Sequence, residues 1–279
     1  MSVPVRRFSL ICTDIDGTLL NAERQLSDET KAAFHGVDDS VRVILASSRM
    51  PSAMRHLQAE LGRLYEPLIC YNGGYIVHYE DDQIHEIDST TIPLSVVKGI
   101  CGLASSDVHV SLYHKDEWYA PQWDSWTERE SRITKVDPVI RSNKVVISEW
   151  AGDNKGAHKV MCMGPEEEID KLEDQLNQQF GNDIHVYRSR PSYLELAPIA
   201  VSKGSGLELL IAQQYSFGMD AVIAFGDNYN DVDLLKRAGH GVAVANSRDV
   251  VLEIANEVTV DSKEDGVARV IRKYFNQGR

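Results

Sequence analysis

Five short apolar runs, Phe8 to Cys12, Val41 to Ala46, Pro67 to Tyr71, Ala221 to Phe225 and Gly241 to Ala245, are rich in Val and Ile and show little polar alternation. A strand with one face in water alternates, whereas a strand buried on both faces of a parallel sheet does not. Helical patterns fall between the runs: Asp28 to Phe34 behind a Ser27 cap, Ser52 to Leu61, Gly204 to Ala212, and Val232 to Ala238 closed by Gly239. Strand and helix in alternation predict an α/β fold with a doubly wound, Rossmann-like parallel sheet as its core.

The pattern breaks between about Glu80 and Tyr187, where all four tryptophans (Trp118, Trp123, Trp126 and Trp150) and most of the other β-like segments crowd together. This stretch reads as an inserted α+β domain. The expected division is a first core part over 1–80, the insertion over 81–187, and a second core part over 188–279. Pro191 and Pro198 flank a return strand, Tyr193 to Ala197. The two connections suit a hinge. In the tail, Ser262 reads as a cap, with Val267, Val270, Ile271 and Tyr274 on one helical face.

With 279 residues, 43% of them hydrophobic, the chain can bury a full core. Its formal charge of -13 opposes nucleic acid and anionic membrane as partners, because the mean field repels both. Cys12, Cys70, Cys101 and Cys162 form no CxxC pair and read as reduced thiols. The apolar run before Asp14, behind Arg6 and Arg7, is too short for a secretory leader, and no stretch reaches membrane-spanning length. These features predict a cytoplasmic protein, with monomer and homodimer both open.

Four segments carry the chemistry: DIDGTLL at Asp14 to Leu20, ASSR at Ala46 to Arg49, SKG at Ser202 to Gly204, and GDNYND at Gly226 to Asp231. Each follows a predicted strand or opens a helix, and in an open parallel sheet reactive groups gather at the carboxyl ends of the strands. Asp14 follows the first strand directly, Asp16 lies two residues on, and Gly17 permits a tight turn. Converging Asp14, Asp16 and Asp227 would repel by about 4 kcal/mol per close pair at an effective dielectric near 20. Such a cluster requires a cation. All-oxygen donors with a phosphate partner favour Mg²⁺, and the nine histidines show no HxH or HExxH spacing.

Ser47 closes the second strand, where its hydroxyl and nearby N–H groups can meet a phosphate oxygen or simply cap a helix. Lys203, at the first helical position, can reach a phosphate and offset the carboxylates. Asp227 reads as a metal ligand, Asn230 as a polar contact near phosphate, and Asp231 as a partner holding metal waters or Lys203. Asp233 reads as solvated and Arg49 as a structural ion pair. Asn72 either faces the crevice or forms a turn. A strand-to-turn exit and a receiver-like phosphoacceptor are the competing readings of the first segment. The later lysine, the Asp227 segment and the large insertion weigh against the receiver.

With these residues assembled, the chain resembles the haloacid dehalogenase superfamily of phosphatases, specifically the Cof-type group with a large α/β cap inserted between the second and third motifs. The resemblance implies Asp14 as nucleophile, Asp16 as general acid and base, and Ser47 and Lys203 as phosphate holders. It also implies Mg²⁺ held by Asp14, the backbone carbonyl of Asp16, and Asp227. Ser48 stands where these enzymes more often carry glycine; it joins Gly17, Ser47, Lys203 and Asn230 in the expected substrate-binding set. The implied reaction is hydrolysis of small phosphorylated metabolites through an aspartyl-phosphate. A phosphomannomutase-like phosphotransferase and a noncatalytic phosphate-binding regulator are the alternatives. Arg188 and Arg190 read as an anion-selecting pair or as hinge salt bridges, and the insertion's aromatics as its own core or as a stacking surface for substrate.

Overall fold

The structure is a computed structural model describing residues 8–275 apart from Asn154; Arg6 and Arg7 of the expected start lie outside the described residues. In chain order the first elements are β1 (Leu10–Thr13), α1 (Asp28–His35), β2 (Arg42–Ala46), α2 (Ser52–Glu60), β3 (Leu68–Cys70), β4 (Tyr75–Glu80) and β5 (Gln83–Ser89). A second group follows: α3 (Leu94–Leu103), β6 (His109–His114), β7 (Glu117–Ala120), α4 (Ser125–Thr134), β8 (Val139–Ile140), α5 (Asn143–Asp153), β9 (Lys159–Met163), α6 (Glu166–Phe180), β10 (Ile184–Arg190) and β11 (Tyr193–Pro198). The chain ends with α7 (Lys203–Gln214), β12 (Val222–Gly226), α8 (Val232–Arg237), β13 (His240–Ala243), α9 (Asp249–Ile254), β14 (Glu257–Val258) and α10 (Gly266–Phe275).

Two contact units divide the chain, one over 8–47, 54–87 and 202–275, the other over 48–53 and 88–201. The first holds an eight-stranded sheet ordered β14-β13-β12-β1-β2-β3-β4-β5. The pairs from β14 across to β3 are parallel, and β4 runs antiparallel to β3. Every residue of β1 and β12 is buried, which is why both read as unbroken apolar runs. On one face Leu10, Cys12, Ile44, Ala46 and Ala224 pack with Leu207, Leu210 and Ile211 of α7 and with Leu234 and Leu235 of α8. At the chain's end, Asp261 caps a short 3-10 turn at Ser262–Glu264 and α10 begins only at Gly266, so Ser262 lies within that turn instead of capping the terminal helix. Val267, Val270 and Ile271 of α10 are buried as their spacing predicts.

The second unit has its own sheet, ordered β10-β11-β9-β6-β7-β8 and antiparallel except for β7 with β8. Helices α3, α5 and α6 cover one face through Val97, Ile100, Val146, Trp150, Ile169 and Leu172, against Leu112, Val160, Cys162 and Leu196. This unit reaches to residue 201 rather than 187. The return strand, β11, therefore pairs with β9 and β10 in the second sheet instead of re-entering the core. Trp118 and Trp150 are buried, whereas Trp123 is 53% exposed. Arg188 forms ion pairs with Asp170 (2.8 Å) and Glu173 (2.5 Å) of α6, inside its own unit, and Arg190 lies over the Tyr193 ring. All four cysteines are free thiols. Among the described residues no helix is long and apolar enough to cross a membrane.

Candidate active site

The carboxyl ends of β1, β2, β3 and β12 and the first turn of α7 supply the site, all within the first unit. Asp14 continues β1 directly, and its N–H donates to the Phe225 carbonyl of β12 at 3.0 Å. That bond fixes the Asp14 backbone at the seam between the two central strands. Its carboxylate is nearly buried, 5% exposed.

Lys203 is fully buried and donates to Asp14 Oδ1 at 2.5 Å and to Asp231 Oδ1 at 2.7 Å. Ser202 caps α7: its hydroxyl accepts from the Ser205 N–H, and the Ser205 hydroxyl accepts from the Ser202 N–H, a reciprocal capping box. The cap thus starts the helix at Lys203 and places the ammonium. The Ser202 hydroxyl also donates to Asp233, which Arg237 pairs as well. Asp233, expected to be solvated, is therefore a brace at the base of this turn.

Burial disfavours the Lys203 ammonium, but Asp14 and Asp231 outweigh it and raise its pKa above the ordinary lysine value. Asp231 is fully buried; its Oδ2 accepts from the Asp227 and Asn228 N–H groups, both at 3.0 Å. It thus holds the Asp227 turn with one oxygen and the lysine with the other. Gly226 permits this close approach, since a Cβ there would lie 2.4 Å from the Asp231 Cβ.

Asp227 Oδ1 accepts from Thr18 Oγ1 at 2.7 Å. Gly17 has φ +91°, and a Cβ on it would lie 2.5 Å from Asp227 Oδ2, so the DIDGT turn and the β12 turn meet through the missing side chain. The Asn246 amide donates to the Gly17 carbonyl at 2.8 Å and ties that turn to the loop after β13. Thr18 and Asn246 were not singled out from the sequence. Thr18 stood in the DIDGT string and was legible as a hydroxyl aimed where its neighbours aim; Asn246 carries no local signal.

Asp16 turns toward Arg24, and the two form a partly exposed ion pair. Ser47 is buried at the end of β2; its carbonyl accepts from the Asn72 N–H at 2.9 Å. Asn72, at φ 57°, takes the turn and also accepts from the Asn230 amide through its Oδ1 at 2.9 Å. Ser48 belongs to the other contact unit, where its carbonyl accepts from Lys159 Nζ at 3.0 Å, and Arg49 donates to the Ala53 carbonyl.

Carboxylate oxygens of Asp14, Asp227 and Asp231 lie within 4.8 Å of one another. At that separation a pair of charges repels by about 3.5 kcal/mol at an effective dielectric of 20, and one lysine cannot offset three. Burial raises the Asp227 carboxyl to about 6, with Asp231 adding to the push against Thr18 and Lys203. Burial likewise pushes Asp14 up, with Lys203 opposing and Asp231 and Asp227 reinforcing. Asp231 already has both oxygens occupied, leaving Asp14 and Asp227 as the carboxylates that a hard divalent cation fits. An all-oxygen donor set of this kind suits Mg²⁺.

A family model described as haloacid dehalogenase-like hydrolase matches residues 11–271. A 5-amino-6-(5-phospho-D-ribitylamino)uracil phosphatase of Bacillus subtilis is 28% identical over 96% of this chain and 97% of its own. A second B. subtilis protein named for the same reaction is 29% identical over 95% of each chain. Among solved structures, a haloacid dehalogenase-like hydrolase from Bacteroides thetaiotaomicron superposes with a TM-score of 0.83 at 27% identity, covering 96% of this chain and 100% of that one. The chain belongs to the haloacid dehalogenase-like hydrolase family, in its Cof-type group, and is an enzyme of the phosphatase class.

Proposed function

We propose that this enzyme hydrolyses small phosphomonoesters through an aspartyl-phosphate on Asp14, with Mg²⁺ held by Asp14, Asp227 and the Asp16 backbone carbonyl. The observation that carries the reading is the Lys203 bridge, 2.5 Å from Asp14 and 2.7 Å from Asp231. It opposes the burial that pushes the Asp14 carboxyl up, and it holds that group aimed and fixed at a strand end, as an oxygen nucleophile requires.

Asp14 attacks phosphorus in line, forming the new O–P bond as the ester O–P bond breaks. Asp16 gives its proton to the departing oxygen, then accepts a proton from the water that cleaves the aspartyl-phosphate. Its partly exposed position beside Arg24 leaves it open to exchange protons with solvent. Lys203 and the Ser47 hydroxyl offset charge on the equatorial oxygens, with the backbone at Gly17 and the Asn230 amide completing the phosphate site. When bound, Mg²⁺ supplies charge neutralisation at the transferring phosphoryl group.

The test is phosphate release from a panel of sugar phosphates, nucleotides and 5-amino-6-(5-phospho-D-ribitylamino)uracil, with Mg²⁺ and with a chelator. Magnesium-dependent release that Asp14→Asn abolishes supports the reading. Retained turnover in Asp14→Asn overturns the nucleophile assignment, and phosphoryl return to a sugar without free phosphate would mark a mutase.

A further inference from the structure

The hairpin of β4 and β5 turns through Asp81 and Asp82, both at positive φ (47° and 62°). A two-residue turn of this kind fixes the register, so Glu80 faces Gln83 and His78 faces His85 directly across the strands. The period of two places Glu80 on the same face as His78. Arg55 pins the turn from elsewhere in the unit: it pairs with Asp82 at 2.6 Å and lies over the Tyr79 ring at 3.9 Å.

On this fixed frame the two imidazoles stack with centroids 5.2 Å apart and planes at 21°. Glu80 Oε2 lies 3.8 Å from His85 Nε2. One ligating atom from each of His78, Glu80 and His85 falls within 4.8 Å of the others. We propose that these three side chains form a second metal site, separate from the Asp14 carboxylates, that takes a borderline divalent transition ion such as Zn²⁺.

Two imidazoles and one carboxylate match the His₂Glu set of three-ligand zinc sites, which leave a fourth position for water, and disfavour Mg²⁺. With bonds of about 2.0–2.1 Å, tetrahedral ligand atoms sit roughly 3.3 Å apart. His85 and Glu80 are exposed and His78 half-buried, so rotation of the side chains closes the difference without moving the strands. A bound ion would clip β4 to β5, the strand by which the chain leaves the first unit. A surface ion pair between Glu80 and His85 uses two of these groups; the hairpin register brings the His78 imidazole to the same face as the third ligand.

The experiment is calorimetric titration of Zn²⁺ into the full, tag-free chain carrying Asp14→Asn and Asp227→Asn, so that the catalytic carboxylates do not compete. The same titration is repeated with His85→Ala, His78→Ala, Glu80→Gln and, as control, His185→Ala added. Expected are one equivalent of Zn²⁺ bound, a loss of roughly tenfold or more in affinity for each ligand variant, and no change for His185→Ala. Paramagnetic Co²⁺ should broaden the NMR ring signals of the same two histidines. Absence of Zn²⁺ binding, or binding unchanged by both His85→Ala and His78→Ala in folded protein, would overturn the proposal.

Discussion

His158, at the start of β9's hydrogen-bonding partnership in the second unit, is completely buried. Its Nδ1 accepts from the Lys115 N–H at 2.9 Å, so the ring proton resides on Nε2, which donates to Ser89 Oγ at 3.0 Å. Charging the ring would put a second proton at Nδ1, against an N–H already pointing there, and beside the His114 ring 5.1 Å away. Burial, with His114 and Lys115 adding to it, lowers its pKa from 6.5 to about 3. The unfolded chain then binds the extra proton between those values, so the contribution to stability is complete above pH 6.5 and is lost as the pH falls toward 3. Between pH ~7.5 and pH ~5 the linkage integral gives a loss of about 2 kcal/mol. Because all four tryptophans lie in the second unit, urea unfolding followed by tryptophan emission reports on this unit. His158→Asn keeps an acceptor for the Lys115 N–H and does not titrate. The pH-dependent loss in the wild type should exceed that in His158→Asn by about 2 kcal/mol. His114 remains in both proteins, and the pH-independent cost of the substitution cancels in the comparison. Equal losses, within about 0.5 kcal/mol, would refute the assignment of a neutral buried ring.

Lys203→Met leaves Asp14 and Asp231 buried without their counter-charge and should cost about 3–5 kcal/mol in chemical denaturation; a cost below about 1 kcal/mol would show that the pair does not hold the site. Gly17→Ala drives a methyl into Asp227 at a strained φ, and steady-state kinetics should show kcat reduced roughly 100-fold while the urea midpoint moves little. Ser202→Ala removes the α7 cap and its link to Asp233, with an expected loss of about 1 kcal/mol by denaturation and a smaller one in kcat.

The core sheet was legible because its physical requirement is local: a strand buried on both faces must be apolar at every position, and Leu10 to Cys12 and Val222 to Phe225 meet that requirement in sequence. The end of the insertion was not legible for the converse reason. Tyr193 to Pro198 reads as a buried strand in either sheet, and nothing within it states that its partners are Val160 to Met163 and Ile184 to Arg190. The flanking prolines marked the strand's ends correctly but not its sheet. Similarly, Ser262 does not cap the terminal helix because a 3-10 turn capped by Asp261 intervenes, and α10 starts only after it.

The site divides along the same line. Asp14, Asp227, Lys203 and Asp231 are recognisable because each sits at a fixed offset from a strand end or helix start, and the topology delivers those ends to one place. What the offsets leave open is the direction of each side chain. Asp16 is two residues from Asp14, yet its carboxylate goes to Arg24, a residue in the turn after it, while Asp231, four residues from Asp227, folds back beneath it. The difference lies in what surrounds them. Asp231 is held by two N–H groups and a buried ammonium, and has no room to turn away. Asp16 pairs with a partly exposed arginine, an arrangement worth less than about 1 kcal/mol. Two carboxylates within a few residues of neighbouring strand ends thus stand in opposite surroundings, Asp231 buried and held through both oxygens, Asp16 partly open to solvent.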